Sequence, residues 1–214
     1  MSTTTVTQPS FRKNLTVIPG VGFSSATVDA AETGANTKIN RRSGINAGVL
    51  LEIGRQMVTF QTGLVYMQDG FKATSSRAEG GYTYVSTANT QLDYLGVPLL
   101  AKLNFRFREP IAIYGKAGLI PAVTTGVYSE LGTQDHRPDG SIRERNYVKT
   151  GRENLRDVNV LAAAGAGMAV LGRERDYRAE VMLNRSLLSV AQNSTAPSVY
   201  TTAFMIQIGM GFNL

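Results

Sequence analysis

Six charged residues occupy positions where a charge needs an explanation: Glu52, Lys102, Arg106, Lys116, Arg178 and Glu180. Each sits between apolar or small neighbours, so it is either exposed to water on one face of a strand or buried and obliged to pair. A second charged set lies between residues 129 and 156. There Arg137, Arg143, Arg145, Lys149 and Arg152 mingle with Glu130, Asp135, Asp139, Glu144 and Glu153. The one histidine, His136, follows Asp135 in this stretch, with Ser129 and Ser141 nearby. Acid–base and nucleophilic chemistry use such groups, but a lone loop histidine is ordinarily solvated, and no catalytic residue is assigned. The chain has no cysteine, which excludes a disulfide framework, a thiolate metal site and a thiol nucleophile. Gly20-Val-Gly22 and Gly165-Ala-Gly167 complete neither a dinucleotide fingerprint nor a P-loop. No metal and no cofactor are expected.

The elements that carry these residues read with a period of two. From Tyr200 the even positions are Tyr200, Thr202, Phe204, Ile206, Ile208, Met210, Phe212 and Leu214, while the odd positions are small or polar. That is a strand, and a long one against the usual ~5–6 residues. The pattern recurs around Leu15–Phe23, Ile45–Ile53, Val58–Tyr66, Leu95–Phe107, Ile111–Leu119 and Tyr177–Leu183. The stretch 158–171 is alanine-rich, but Gly165 and Gly167 argue against a helix, so it too is read as a strand. Eight strands result, at about 14–24, 43–54, 56–72, 91–107, 110–128, 157–172, 176–190 and 199–214 by alternation.

The connections alternate. Residues 54–56, 108–109 and 172–175 are tight turns, whereas 25–42, 73–90, 129–156 and 191–198 are longer and polar. An even strand count with short turns on one rim and long loops on the other describes a transmembrane barrel. The chain of 214 residues has no continuously apolar 18-residue window, so closed strands are its one way to span a bilayer. The charged face also carries Gln61, Asn184 and many glycines. Glycine weakens a solvent-facing strand but gives room inside a narrow barrel. A lysine or arginine facing lipid near the midplane costs ~2–4 kcal/mol, and the bulky aliphatic rows carry none over their central stretches. The expectation is therefore an all-β, eight-stranded antiparallel up-and-down transmembrane β-barrel. Its aliphatic rows face lipid, and Glu52, Lys102, Arg106, Lys116, Arg178 and Glu180 pair in the lumen. There is no Trp; Tyr66, Tyr128, Tyr177, Tyr200, Phe107 and Phe212, near strand ends, stand in for an aromatic girdle.

Several stretches resemble a known family. SGINAGVLLEIGRQMVTFQTGLVYMQDGFK (43–72) is similar to the second hairpin of the Bacteroidota-type, PorT-like outer-membrane β-barrel domain. LDYLGVPLLAKLNFRF (92–107) resembles that family's Tyr-Leu-x-x-Pro-Leu-Leu-x-Lys strand, and IAIYGKAGLIPAV (111–123) the strand after it. The resemblance implies an outer-membrane location, an association of some members with type IX secretion and gliding, and no catalytic residues. It also implies a secretory signal ahead of residue 1. The N-terminus has no basic or apolar signal region, so the chain reads as a mature form.

The resulting expectation is one outer-membrane barrel domain over residues 1–214, with 1–13 as a periplasmic tail and both termini periplasmic. The function expected is non-enzymatic: a structural, accessory or interaction component, or a subunit of a secretion or uptake complex, with its lumen plugged by the charged set. Expected partners are membrane lipid, lipopolysaccharide and other outer-membrane or secretion-complex proteins. Arg137, Arg143, Arg145, Lys149 and Arg152 form the loop expected to face lipopolysaccharide. The net charge of +6 comes without a nucleic-acid motif, so no nucleic acid is expected. Two alternatives remain at this level: a soluble lipocalin-like small-ligand carrier, which needs the aliphatic rows inside, and a narrow pore.

Overall fold

The computed structural model describes residues 12–28, 36–55, 57–108, 110–150, 155–191 and 198–214. The side chains of 12, 28, 36, 37, 79, 106–108, 149 and 150 lie outside that description. Every element is a strand: β1 (Arg12–Val28), β2 (Asn36–Asn40), β3 (Arg42–Gly54), β4 (Val58–Glu79), β5 (Tyr82–Gly96), β6 (Leu99–Arg108), β7 (Ile111–His136), β8 (Ile142–Thr150), β9 (Val158–Leu171), β10 (Arg175–Ser186) and β11 (Val199–Asn213).

These eleven segments make eight staves. β2 and β3 form one, interrupted at Arg41, and β5 and β6 another, interrupted at Val97 and Pro98. β8 and β9 form a third, since both pair with β7. Proline lacks the N–H that a continuous ladder needs; Val97 still donates its own N–H to the Pro121 carbonyl at 2.9 Å. All pairings are antiparallel and run β1–β3–β4–(β5, β6)–β7–(β8, β9)–β10–β11. The first and last strands then pair, from Asn14 against Asn213 to Val28 against Val199, and close the ring. Closure removes the free edges that a bilayer would punish.

Burial alternates on β10 without a break from Arg175 to Ser186, and the residues exposed to the outside are the bulky ones. Phe60, Leu103, Phe105, Leu183, Ile206 and Ile208 face outward. Lys102 is 2% exposed and Glu180 5%. The lipocalin-like alternative, which needs the reverse, is therefore overturned. The lumen-facing glycines have the expected reason. A Cβ on Gly20 would stand 2.5 Å from the Asn46 amide oxygen, and one on Gly167 would stand 2.6 Å from the Tyr114 ring.

On the rim bearing the termini β3 is followed by β4, β6 by β7 and β9 by β10 after only two or three residues, the short connections expected. The opposite rim differs from expectation. Residues 73–90 are not a loop: β4 and β5 continue as a ladder to Glu79 against Tyr82, joined by Gly80 and Gly81 at φ +59° and +82°. Residues 129–156 are largely strand as well, since β7 runs to His136 and returns as β8 through a turn over 137–141. Above the barrel this leaves a five-stranded sheet, β2-β4-β5-β7-β8, on one side only. It has no apolar face, so it lacks the alternation by which the wall strands are recognised. Threonines, tyrosines and valines nevertheless suit strands. The expected strand to residue 190 instead ends at Ser186.

Candidate functional site

The inside of the barrel is built in two layers. In the layer near the termini, Glu52 of β3 is the hub. Its carboxylate accepts hydrogen bonds from Lys102 Nζ at 3.0 and 3.1 Å, Arg178 Nη1 at 2.5 Å, Thr59 Oγ1 at 2.9 Å and Gln61 Nε2 at 3.3 Å. Arg178 also donates to Asn14 Oδ1 at 3.1 Å and lies 3.7 Å from Asp176. Asn14 donates to Asp176 at 3.0 Å and accepts from Thr16 at 2.7 Å. A second carboxylate, Glu180, accepts from Lys116 Nζ at 2.6 Å and from the Tyr114 hydroxyl at 2.8 Å. Lys102 lies 4.0 Å over the Tyr114 ring and Lys116 donates to Gln61 at 3.4 Å, so the two halves are joined.

Within this layer the described charges balance: Glu52, Asp176 and Glu180 against Lys102, Lys116 and Arg178, each buried. Removed from water, these ions are tolerable because each has a partner and further hydrogen bonds. Five of the six expected lumen charges meet here. The sixth, Arg106, has its side chain outside the described residues. Sequence reasoning missed Asp176, Asn14 and Tyr114. Asp176 stood on the same two-residue period as Arg178 and Glu180, so alternation extended one step further would have found it.

The layer toward the opposite rim is mainly apolar, with a few buried polar groups set into it: Asp69 accepts from Thr201 at 3.4 Å, and Asn184 donates to the Met67 and Met205 sulfurs at 3.6 and 3.9 Å. Met67, Leu92, Tyr94, Leu100, Ile120 and Met205 belong to one buried cluster in the lumen. They come from the face expected to be polar and small, which is why they were overlooked. Between the layers a void of about 20 Å³ is lined by Leu50, Met67, Lys116 and Gln207 among others, room for about one water.

The basic set of 129–156 is distributed along the projecting sheet. Arg143 and Arg145 are exposed on β8 and Arg137 lies in the turn. Lys149 has a described backbone position opposite Ser129, and Arg152 lies outside the described residues. In the same turn Asp139 accepts from the Ser141 hydroxyl at 2.6 Å and its backbone N–H at 2.9 Å. These bonds hold the Asp139 carboxyl below the usual carboxylate range. His136 ends β7 opposite Ile142, and no group of three or more metal-binding side chains occurs among the described residues.

At the upper margin of the apolar wall a polar band begins. Gln68 donates to the Tyr66 hydroxyl at 2.9 Å, Gln91 to Asp93 at 2.9 Å, and Arg42 to Gln91. This is where a wall leaves hydrocarbon for headgroups.

Three solved structures are similar to this chain over most of its length. Neisserial surface protein A is 12% identical, with 92% of this chain and 96% of that one covered and a TM-score of 0.44. OprG from Pseudomonas aeruginosa is 11% identical, with 94% and 95% covered and a TM-score of 0.40. The outer membrane protease OmpT from Escherichia coli is 11% identical, with both chains fully covered and a TM-score of 0.43. No curated protein matches the sequence directly. A family model for the outer membrane protein beta-barrel domain matches residues 7–181. With its closed eight-stave ring and apolar outer wall, the chain belongs to the outer membrane protein β-barrel domain family and resides in the outer membrane.

Proposed function

We propose that this barrel is a non-enzymatic interaction component that works from its outside and not through its lumen. The observation that carries the reading is the charge-balanced network around Glu52 and Glu180, roofed by the Met67–Leu92–Tyr94 layer. Eight staves leave an interior that side chains just fill, and an ion crossing here would have to part a buried pair and then enter an apolar layer. What remains available is the wall, in contact with lipid, and the sheet on the rim opposite the termini, the extracellular rim in barrels of this kind. A place in a secretion or uptake complex, as the PorT-like motifs imply, belongs to this proposal. So does contact of the basic residues with lipopolysaccharide. Planar-bilayer recording tests it: the wild-type protein is expected to be silent. Stable, ion-selective conductance at neutral pH would replace this reading with that of a narrow pore.

A further inference from the structure

The stretch Ile142–Thr150 reads as mixed charge in sequence, but as a strand it sorts those charges by face. Arg143, Arg145 and Tyr147 take one side of β8; Ile142, Glu144, Asn146 and Val148 take the other. Opposed residues of neighbouring strands project to the same side, so the register identifies what accompanies them. Arg143 lies opposite Asp135, Asp135 opposite Tyr84, and Tyr84 opposite Arg77. Arg145 follows in line with Thr133, Ser86 and Ser75, and Tyr147 with Leu131, Ala88 and Ala73. Tyr84 stacks on Tyr82 at 6.2 Å between ring centroids. Glu79 takes a register position on this face too. Among the described side chains, Arg77, Arg143 and Arg145 thus share this face with one acid, Asp135, and with the exposed Tyr84 and Tyr147. The opposite face holds Glu130, Glu144, which accepts from Gln134 at 3.3 Å, and the two lysines Lys38 and Lys72.

Height narrows the ligand. Tyr128 lies on the outward side of β7 at the level of an aromatic girdle. From there to Asp135 the strand climbs about 18 Å, at ~3.3 Å per residue and a tilt of about 40°. Arg143 lies opposite Asp135 at that height, and Arg145, opposite Thr133, about 13 Å above the same level, so both stand above lipid headgroup phosphates. Guanidinium forks bind carboxylate, sulfate and phosphate groups, and tyrosine rings give sugar rings a flat apolar surface.

We propose that this face of the projecting sheet binds an extended anionic polysaccharide, with Arg143 and Arg145 on its acidic groups and Tyr147 and Tyr84 against its sugar rings. This rests on the reading that the barrel works from its outer surface, and it names the ligand class.

The test uses the full chain folded in nanodiscs of zwitterionic lipid, with anisotropy of a labelled sulfated dodecasaccharide as readout. An oligogalacturonate and a neutral dextran oligomer of matching length serve as competitors. Both acidic polymers are expected to bind or compete, the neutral one not, and affinity is expected to fall as salt is raised. Arg143→Gln with Arg145→Gln is expected to weaken binding about tenfold or more. Tyr147→Ala is expected to weaken it about threefold, and Glu144→Gln, on the other face, to leave it unchanged. Equal binding by the double arginine variant, or equal competition by dextran, would overturn the proposal. So would a second arm in which nanodiscs containing lipid A bind through Arg143 and Arg145 while the soluble polymers do not. Conductance of the lumen is a separate measurement, so failure there leaves these outcomes distinct.

Discussion

The two layers of the lumen are lined by the same staves and solve the same problem differently. Near the termini the space is filled by directional contacts, in which Glu52 alone accepts from four side chains. Toward the other rim it is filled mainly by Leu92, Leu100, Ile120 and the methionines, which contact without preferred direction. A charged layer fails when one member is removed, because the others stay buried without partners. An apolar layer loses contacts in proportion to the volume removed.

Glu52→Ala tests the first half of that contrast and is expected to have the largest effect. With Lys102 left without its carboxylate and Arg178 left with Asp176 alone, unfolding in urea from lipid vesicles should shift by about 3–5 kcal/mol. A loss below about 1 kcal/mol would show that water already screens the layer. Leu92→Ala probes the second half. It creates a cavity without orphaning a polar atom, and a smaller loss of about 2–4 kcal/mol is expected in the same assay. Gly167→Ala adds volume at the edge of the charged layer, where the new Cβ would meet the Tyr114 ring at 2.6 Å and the Ala179 carbonyl at 2.8 Å. Overpacking of this kind costs about 1–3 kcal/mol, and the heat-modifiable gel shift should move to lower temperature.

Two smaller effects lie outside both layers and sharpen the comparison by contrast. Gly80 has φ +59° and nothing near its Cβ position, so Gly80→Ala should cost only the ~1 kcal/mol of a left-handed residue. Hydrogen exchange should report that cost in the projecting sheet and leave the wall unaffected. The Asp139 carboxyl is held below its ordinary range by Ser141. Its contribution to the turn is therefore present above the unfolded value and disappears as pH falls through the folded one. Exchange protection at Ser141 should drop on acidification; Ser141→Ala, which keeps the backbone bond, should reduce that pH dependence, and Asp139→Ala should abolish it.

Much of this arrangement was legible from residue order. Alternation located every wall stave and the outward aliphatic rows, because lipid on one side imposes a strict period of two. The same alternation brought Glu52, Lys102, Lys116, Arg178 and Glu180 to one face. Which charge pairs with which was not legible, since that depends on register: Arg178 reaches Glu52 from a stave far away in sequence. The apolar layer was hidden because its residues take the face read as polar and small: Leu100 shares its period with Lys102, and Met205 with Gln207. The projecting sheet was hidden for the opposite reason. With water on both sides of Lys72–Arg77 or Ile142–Val148, no face is selected for hydrophobicity, and strand and loop compositions converge.

The projecting sheet also bears on how the molecule is assembled. Its hairpins carry Lys72, Arg77, Glu130, Asp135, Arg143, Glu144 and Arg145, and every one of them has to traverse hydrocarbon before the wall can seat. At ~2–4 kcal/mol for each lysine or arginine at mid-depth, crossing an intact bilayer unaided is a steep climb, so insertion depends on a locally thinned or catalysed membrane. Once across, the same side chains resist retreat, and the sheet acts as a ratchet that fixes the barrel's orientation for its lifetime.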